Sequence, residues 1–165
     1  MPTSSSGLSR LRRLILRVAS SLSWLPPTLT RLTLGYVFIE SGWGKLHNLP
    51  KIVAYFTELG IPAPQFQAPF AATAELVCGL LLLVGLATRI ASLPLVITMI
   101  VAILTARKSD LHGLSDLFGF IEYLYIVLCL WLGAYGSGPI SLDAVIAKRL
   151  ERGERPLTAR GAATR

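Results

Sequence analysis

Four apolar stretches, each near the roughly 20 residues that a helix needs to cross a bilayer, limit what this 165-residue chain can fold into. They run from about Leu29 to His47, Phe70 to Ala87, Ile90 to Ala106 and Leu117 to Tyr135. Hydrophobic residues make up 53% of the chain and charged residues only 15%, against about 25% charged in an ordinary soluble domain. A water-soluble globule of that composition would have too few polar groups to cover its surface. The expected fold is all-α, a bundle of four transmembrane helices over residues 29–136. The second and third stretches are separated only by Ala87, Thr88 and Arg89, so they form a tight helical hairpin.

Different material flanks the bundle. Residues 1–28 begin with a Ser-rich start that reads as disordered. Leu8, Leu11, Leu14, Ile15, Val18 and Leu22 then recur at helical spacing, with Arg10, Arg12, Arg13 and Arg17 on the other face. This is the pattern of a basic amphipathic helix lying on an anionic leaflet. A signal peptide fits poorly, because Arg17 interrupts the apolar run. Pro26-Pro27 ends that helix and turns the chain into the first span. Between the first two spans, Pro50 and Gly60 bracket an apolar stripe of Ile52, Val53, Phe56 and Leu59, which predicts a short interfacial helix. Residues 137–165 begin with a Gly-Ser-Gly-Pro breaker. Ser141 with Asp143 then caps a second amphipathic helix to about Leu150, and a basic, disordered tail follows.

The charge is +7, and its distribution excludes a nucleic-acid surface. Eleven of the 16 Lys and Arg fall before the first span, in the hairpin turn or after the last span, and Arg31 lies at the start of the first. Lys45, Lys51, Arg107 and Lys108 fall on the other side. The positive-inside rule then puts both termini in the cytoplasm. Two Cys without a CxxC give neither a disulfide framework nor a zinc pattern. His47 and His112 lie at or beyond the span ends rather than facing each other from spans. Neither haem nor a metal is expected.

Three carboxylates fall inside spans: Glu40, Glu75 and Glu122. Each charge at a span centre costs roughly 2.5–3.5 kcal/mol, and such residues face a bundle interior. Counted at 1.5 Å per residue, all three lie roughly 7–11 Å from the same boundary. One shared polar site is therefore expected, with Lys45 near its mouth. Tyr36, Glu40, Trp43, Gly44 and His47 share one helical face. Such a cluster would serve proton transfer or quinone protonation, with Tyr123 beside it; the bland reading is Glu–Lys or Glu–Tyr contacts that lock the bundle. Cys78 and Cys129 differ in depth by about one helical turn, which disfavours a redox pair. The small residues Ser41, Gly42, Gly44, Ala71, Ala74 and Gly79 suit close helix packing.

Several of these residues fall in an ordered set. Phe38-Ile-Glu-Ser-Gly-Trp-Gly-Lys45 closes the first span, and Leu59-Gly-Ile-Pro-Ala-Pro64 follows it. Ala74-Glu-Leu-Val-Cys-Gly79 lies in the second span, which ends in Gly85-Leu-Ala-Thr-Arg89. A Gly138-Pro-Ile-Ser-Leu-Asp143 box follows the fourth. Over about residues 29–145 the chain resembles the DoxX family of membrane proteins. That resemblance implies a four-helix inner-membrane protein. The family takes its name from a membrane subunit linked to an archaeal quinone-reactive enzyme that oxidises thiosulfate. Lys45, Glu75 and Arg89 match its polar pattern, and Cys78 stands where Gly is frequent. The expected function is a quinone-associated subunit of a membrane redox complex. It has no catalytic motif of its own, so its electrons come from partner proteins. A proton-coupled carrier or channel is one alternative; only Pro94 breaks a span in the way such carriers require. A noncatalytic scaffold is another, and a homo-oligomer is compatible with all three.

Overall fold

The computed structural model describes residues 5–150. Pro26 and Pro27 occupy the first turn of helix α2 (Leu25–His47), where a missing N–H costs nothing. They separate it from α1 (Ser5–Ser21) by a three-residue turn. Along α1 the described side chains are exposed, including Leu11, Leu14, Ile15 and Val18. The amphipathic helix forms as its spacing predicts, and its apolar stripe is left uncovered. Residues 5–7, expected as part of a disordered start, are already helical. Residues 1–4 of that start lie outside the described residues, as does the basic tail expected after about Leu150.

The predicted interfacial helix is α3 (Leu49–Glu58), with Pro50 in its first turn. Next come α4 (Pro64–Val84) and α5 (Thr88–Thr105). The fourth apolar stretch is not one helix. It divides into α6 (Leu114–Gly119) and α7 (Ile121–Tyr135), because Phe120 is extended at φ −76°, ψ 133°. This corrects the expectation of a continuous span over 117–135. By length and apolarity, α4 and α5 qualify as membrane crossings among the described residues. Helix α2 is longer but interrupted by Arg31, Glu40 and Lys45, and α7 is apolar but only 15 residues long. Among the described residues there is no strand.

Helix α2 packs most extensively on α4, α4 on α5, and α5 on α7, while α7 returns to touch α2. The buried core draws on all four: Leu34 and Phe38, Cys78 and Leu82, Leu95 and Met99, Cys129 and Leu132. Phe38 meets Tyr125 across the α2–α7 contact at 5.7 Å between ring centroids. Cys78 and Cys129 are both free thiols in this cluster.

The α2–α4 contact depends on residues without side chains. A Cβ on Gly42 would lie 2.6 Å from the Leu76 nitrogen and 2.7 Å from the Ala72 oxygen. Gly35 and Gly79 face each other's backbones in the same way one level along, at 2.9–3.0 Å. Two backbones this close exclude any larger residue at the crossing.

At the Arg89 end, residues 137–143 strap the α4–α5 turn. The carboxylate of Asp143 accepts from the backbone N–H of Ala87 at 2.8 Å and of Thr88 at 3.3 Å. It therefore caps α5, a helix that begins 55 residues earlier, and not only its own. Asp143 also donates its backbone N–H to the Gly85 carbonyl at 3.0 Å. The C-terminal helix over residues 142–150 is capped by Ser141, whose Oγ accepts from the Ala144 N–H at 3.1 Å. Ser141 thus performs the expected role, while Asp143 works mainly across the turn. Arg31 is 4% exposed and donates to the Ser137 carbonyl at 3.3 Å, with Asp143 as its compensating charge. Its guanidinium lies against Gly85, which has φ +71° and no room for a Cβ.

Two stability outcomes follow. Gly42→Ala forces the α2–α4 backbones apart and lowers stability by about 1–3 kcal/mol, whereas Gly119→Ala, facing open space, is near neutral. Thermal unfolding in mild detergent measures both. Asp143→Ala removes two backbone caps and costs about 1–2 kcal/mol, with faster hydrogen exchange at Ala87 and Thr88.

Candidate functional site

The buried stripe of α4 runs Ala68, Ala72, Glu75, Cys78, Gly79 and Leu82 at three- and four-residue intervals. Glu75 therefore points into the bundle with its apolar neighbours, and only 2% of it is exposed. The partners come from α2. Lys45 Nζ donates to both carboxylate oxygens at 2.6 Å, and Ser41 Oγ donates to Oε2 at 2.8 Å. Ser41 and Lys45 are one turn apart on the face that also buries Phe38 and Gly42. The close α2–α4 crossing brings them within reach. The result is a net-neutral, hydrogen-bonded ion pair, the form in which an apolar bundle tolerates charge.

A cavity of about 250 Å³ opens beside this pair, lined by α3, α4, α5 and Lys45. Its walls are apolar and aromatic, with Tyr55, Phe56, Phe70 and Met99 among them. Phe70 and Ile97 on its lining are 76% and 60% exposed, so the cavity opens to the side of the bundle. Apolar walls with a few convergent polar groups are the usual make-up of a small-molecule site. The chemistry available is donation from the Lys45 ammonium and proton exchange at the Glu75 carboxylate.

The other residues expected at a shared site do not gather here. Glu40 is exposed on the opposite face of α2, because a residue two positions from Phe38 lies about 200° around the helix from it. Lys45, five residues on, is likewise off its face and bonds Glu75 instead. Tyr36 shares the outward face and is 63% exposed. Glu122 pairs with Arg107, Nε to Oε1 at 3.2 Å, and Arg107 also lies 3.8 Å from Asp110. The second carboxylate oxygen of Glu122 is buried without a partner. Tyr123 packs edge-on against Phe118 at 5.2 Å. Each of the three carboxylates thus has its own setting, and equal depth along the helices does not bring them to a common site. The two histidines lie away from the cavity: His47 packs on Trp43 at 4.3 Å between ring centroids, and His112 is exposed in the α5–α6 loop.

Four residues have roles here that their sequence positions do not indicate. Ser41 was read as a packing residue, although its i,i+4 relation to Lys45 was available. Arg107, placed in a loop by hydropathy, turns back to Glu122. Tyr55 and Phe56 of α3 roof the cavity, a role their apolar spacing does not distinguish from simple packing.

Comparison with known proteins gives a family for the chain. Residues 27–108 match the DoxX family and residues 69–158 match the family described as TQO small subunit DoxD. An uncharacterized membrane protein of Mycobacterium tuberculosis is 34% identical, over 75% of this chain and 84% of its own. CatD of Bacillus subtilis, named as a candidate oxidoreductase, is 30% identical over 76% of this chain and 90% of its own. No solved structure shows significant similarity. The two family matches overlap through α4 and α5 and together cover the Glu75 ion pair and the Asp143 strap. The chain belongs to the DoxX/DoxD family of membrane proteins.

Proposed function

We propose that the chain is the membrane-embedded subunit of a quinone-linked oxidoreductase complex, with the cavity beside Lys45 and Glu75 as its headgroup site. The carrying observation is that one fully hydrogen-bonded ion pair meets an otherwise apolar, partly aromatic cavity. A quinone ring fits that make-up. Its faces suit Tyr55, Phe56 and Phe70, and a ring carbonyl suits the Lys45 ammonium. When bound, the quinone supplies two-electron chemistry coupled to protons. Glu75 holds a proton-exchange position at the ring, Ser41 fixes the carboxylate, and Lys45 balances its charge. The electrons come from a partner subunit. The candidate-oxidoreductase name of CatD and the TQO name of the DoxD match favour this reading over a carrier or a scaffold.

The same reading takes α2, α4, α5 and the α6–α7 pair as four crossings of the cytoplasmic membrane, with both termini inside. Helix α1, with its uncovered apolar stripe and four arginines, then lies on the anionic inner leaflet. The Lys45 end of the bundle, with the cavity, faces outward.

Mass spectrometry of lipid-soluble ligands tests the site. Wild-type protein purified in mild detergent should carry near-stoichiometric quinone, and Glu75→Gln should lose it. Glu75→Gln also leaves the Lys45 ammonium without its counter-charge, at about 3 kcal/mol, so unfolding alone could empty the site. The double variant Lys45→Met, Glu75→Leu removes both charges and restores stability, yet it should still lack quinone. Quinone retained by the folded double variant, or only background in wild type, would overturn the proposal.

A further inference from the structure

Among the described residues nothing covers the face of α2 turned away from α4. Leu29, Leu32, Tyr36, Glu40, Trp43 and His47 follow one another along it at intervals of three or four residues, and all are exposed. Glu40 is the feature that demands explanation. Glu75 and Glu122 each hold a cation, but among the described residues nothing bonds Glu40. It lies seven residues from His47, about 10 Å along the helix axis. A glutamate side chain is too short to return its carboxylate from that depth to the headgroups. An acceptor left bare in hydrocarbon costs several kcal/mol, and polar groups so placed act as contacts between helices.

The same face carries the donors that Glu40 lacks. Tyr36 lies four residues before it and Trp43 three residues after; they are 63% and 58% exposed. Neither bonds Glu40 within its own helix. Gly44 sits alongside, and a Cβ there would meet nothing within 4 Å, which leaves room for another helix to approach. An acceptor flanked by donors at one-turn spacing is self-complementary, as a two-fold interface requires. A different partner would need only a cation opposite Glu40 and would leave Tyr36 and Trp43 without purpose.

We infer that this face of α2 is the interface between two copies of the chain. The copies run parallel about an axis normal to the membrane. Glu40 of each accepts from the Tyr36 hydroxyl or Trp43 indole N–H of the other, and Gly44 sets the distance. The inference rests on α2 crossing the bilayer and is independent of what the cavity holds.

The full chain in lipid nanodiscs or liposomes supplies the test. Single-molecule photobleaching should count two copies per particle. Oxidation of Gly44→Cys should give a covalent dimer, whereas Leu80→Cys, exposed on α4, should not. Wild type should not crosslink either, because Cys78 and Cys129 are buried. Glu40→Leu should weaken association roughly 10-fold, while Glu40→Gln, which keeps an acceptor, should retain most of it. Single copies of wild type, Gly44→Cys crosslinking no better than Leu80→Cys, or Gly44→Cys trapping a different protein would each overturn the inference. A water-soluble maleimide applied to Leu32→Cys separates the two premises. Labelling would refute the crossing of α2 and the dimer with it; protection with single copies would refute the dimer alone.

Discussion

At Gly42 the backbones of α2 and α4 approach so closely that the Leu76 nitrogen and the Ala72 oxygen occupy the space a side chain would need. Lys45 lies three residues further along α2, so the same crossing delivers its ammonium to Glu75. A wider crossing would leave the buried Glu75 carboxylate without its cation, which an apolar bundle does not tolerate. The glycines therefore do more than pack two helices. They make it possible for a carboxylate to stand inside the bundle, and with it the polar wall of the cavity.

Charge is handled locally throughout. At one end Glu75 is answered by Lys45 and Ser41, and Glu122 by Arg107. At the other, Arg31 is answered by Asp143 and the Ser137 carbonyl. These groups join α2 to α4, α5 to α7, and the C-terminal strap to the α4–α5 turn. Polar contacts and helix packing thus specify the same arrangement. Among the described residues Glu40 departs from this rule, and for that reason it points beyond them.

Much of this was legible in the residues. Pro50 and Gly60 marked α3, Pro26-Pro27 marked the start of α2, and Ser141 marked the C-terminal cap. Gly42 and Gly79 were legible as close-packing residues, while Ala71 and Ala74, read with them, lie beside the buried face of α4 rather than on it. Other features were hidden for physical reasons. Depth along a helix is easily counted, but the side it faces depends on what packs there. Three glutamates at one depth therefore looked like one site. The break at Phe120 has no proline or turn dipeptide to announce it. Arg107 falls beyond an apolar run, and nothing in the sequence indicates that it folds back on Glu122.

The strap at Asp143 has a consequence for the order in which the chain is completed. The first amides of α5 receive their acceptor from a residue 56 positions later. During synthesis the α4–α5 hairpin emerges with Ala87 and Thr88 uncapped, and it stays so until the whole of α7 and the turn beyond it have been made. A segment made only after α7 is what closes an earlier joint. A chain truncated just after Tyr135 would contain all the apolar helices and lack the carboxylate that fastens two of them.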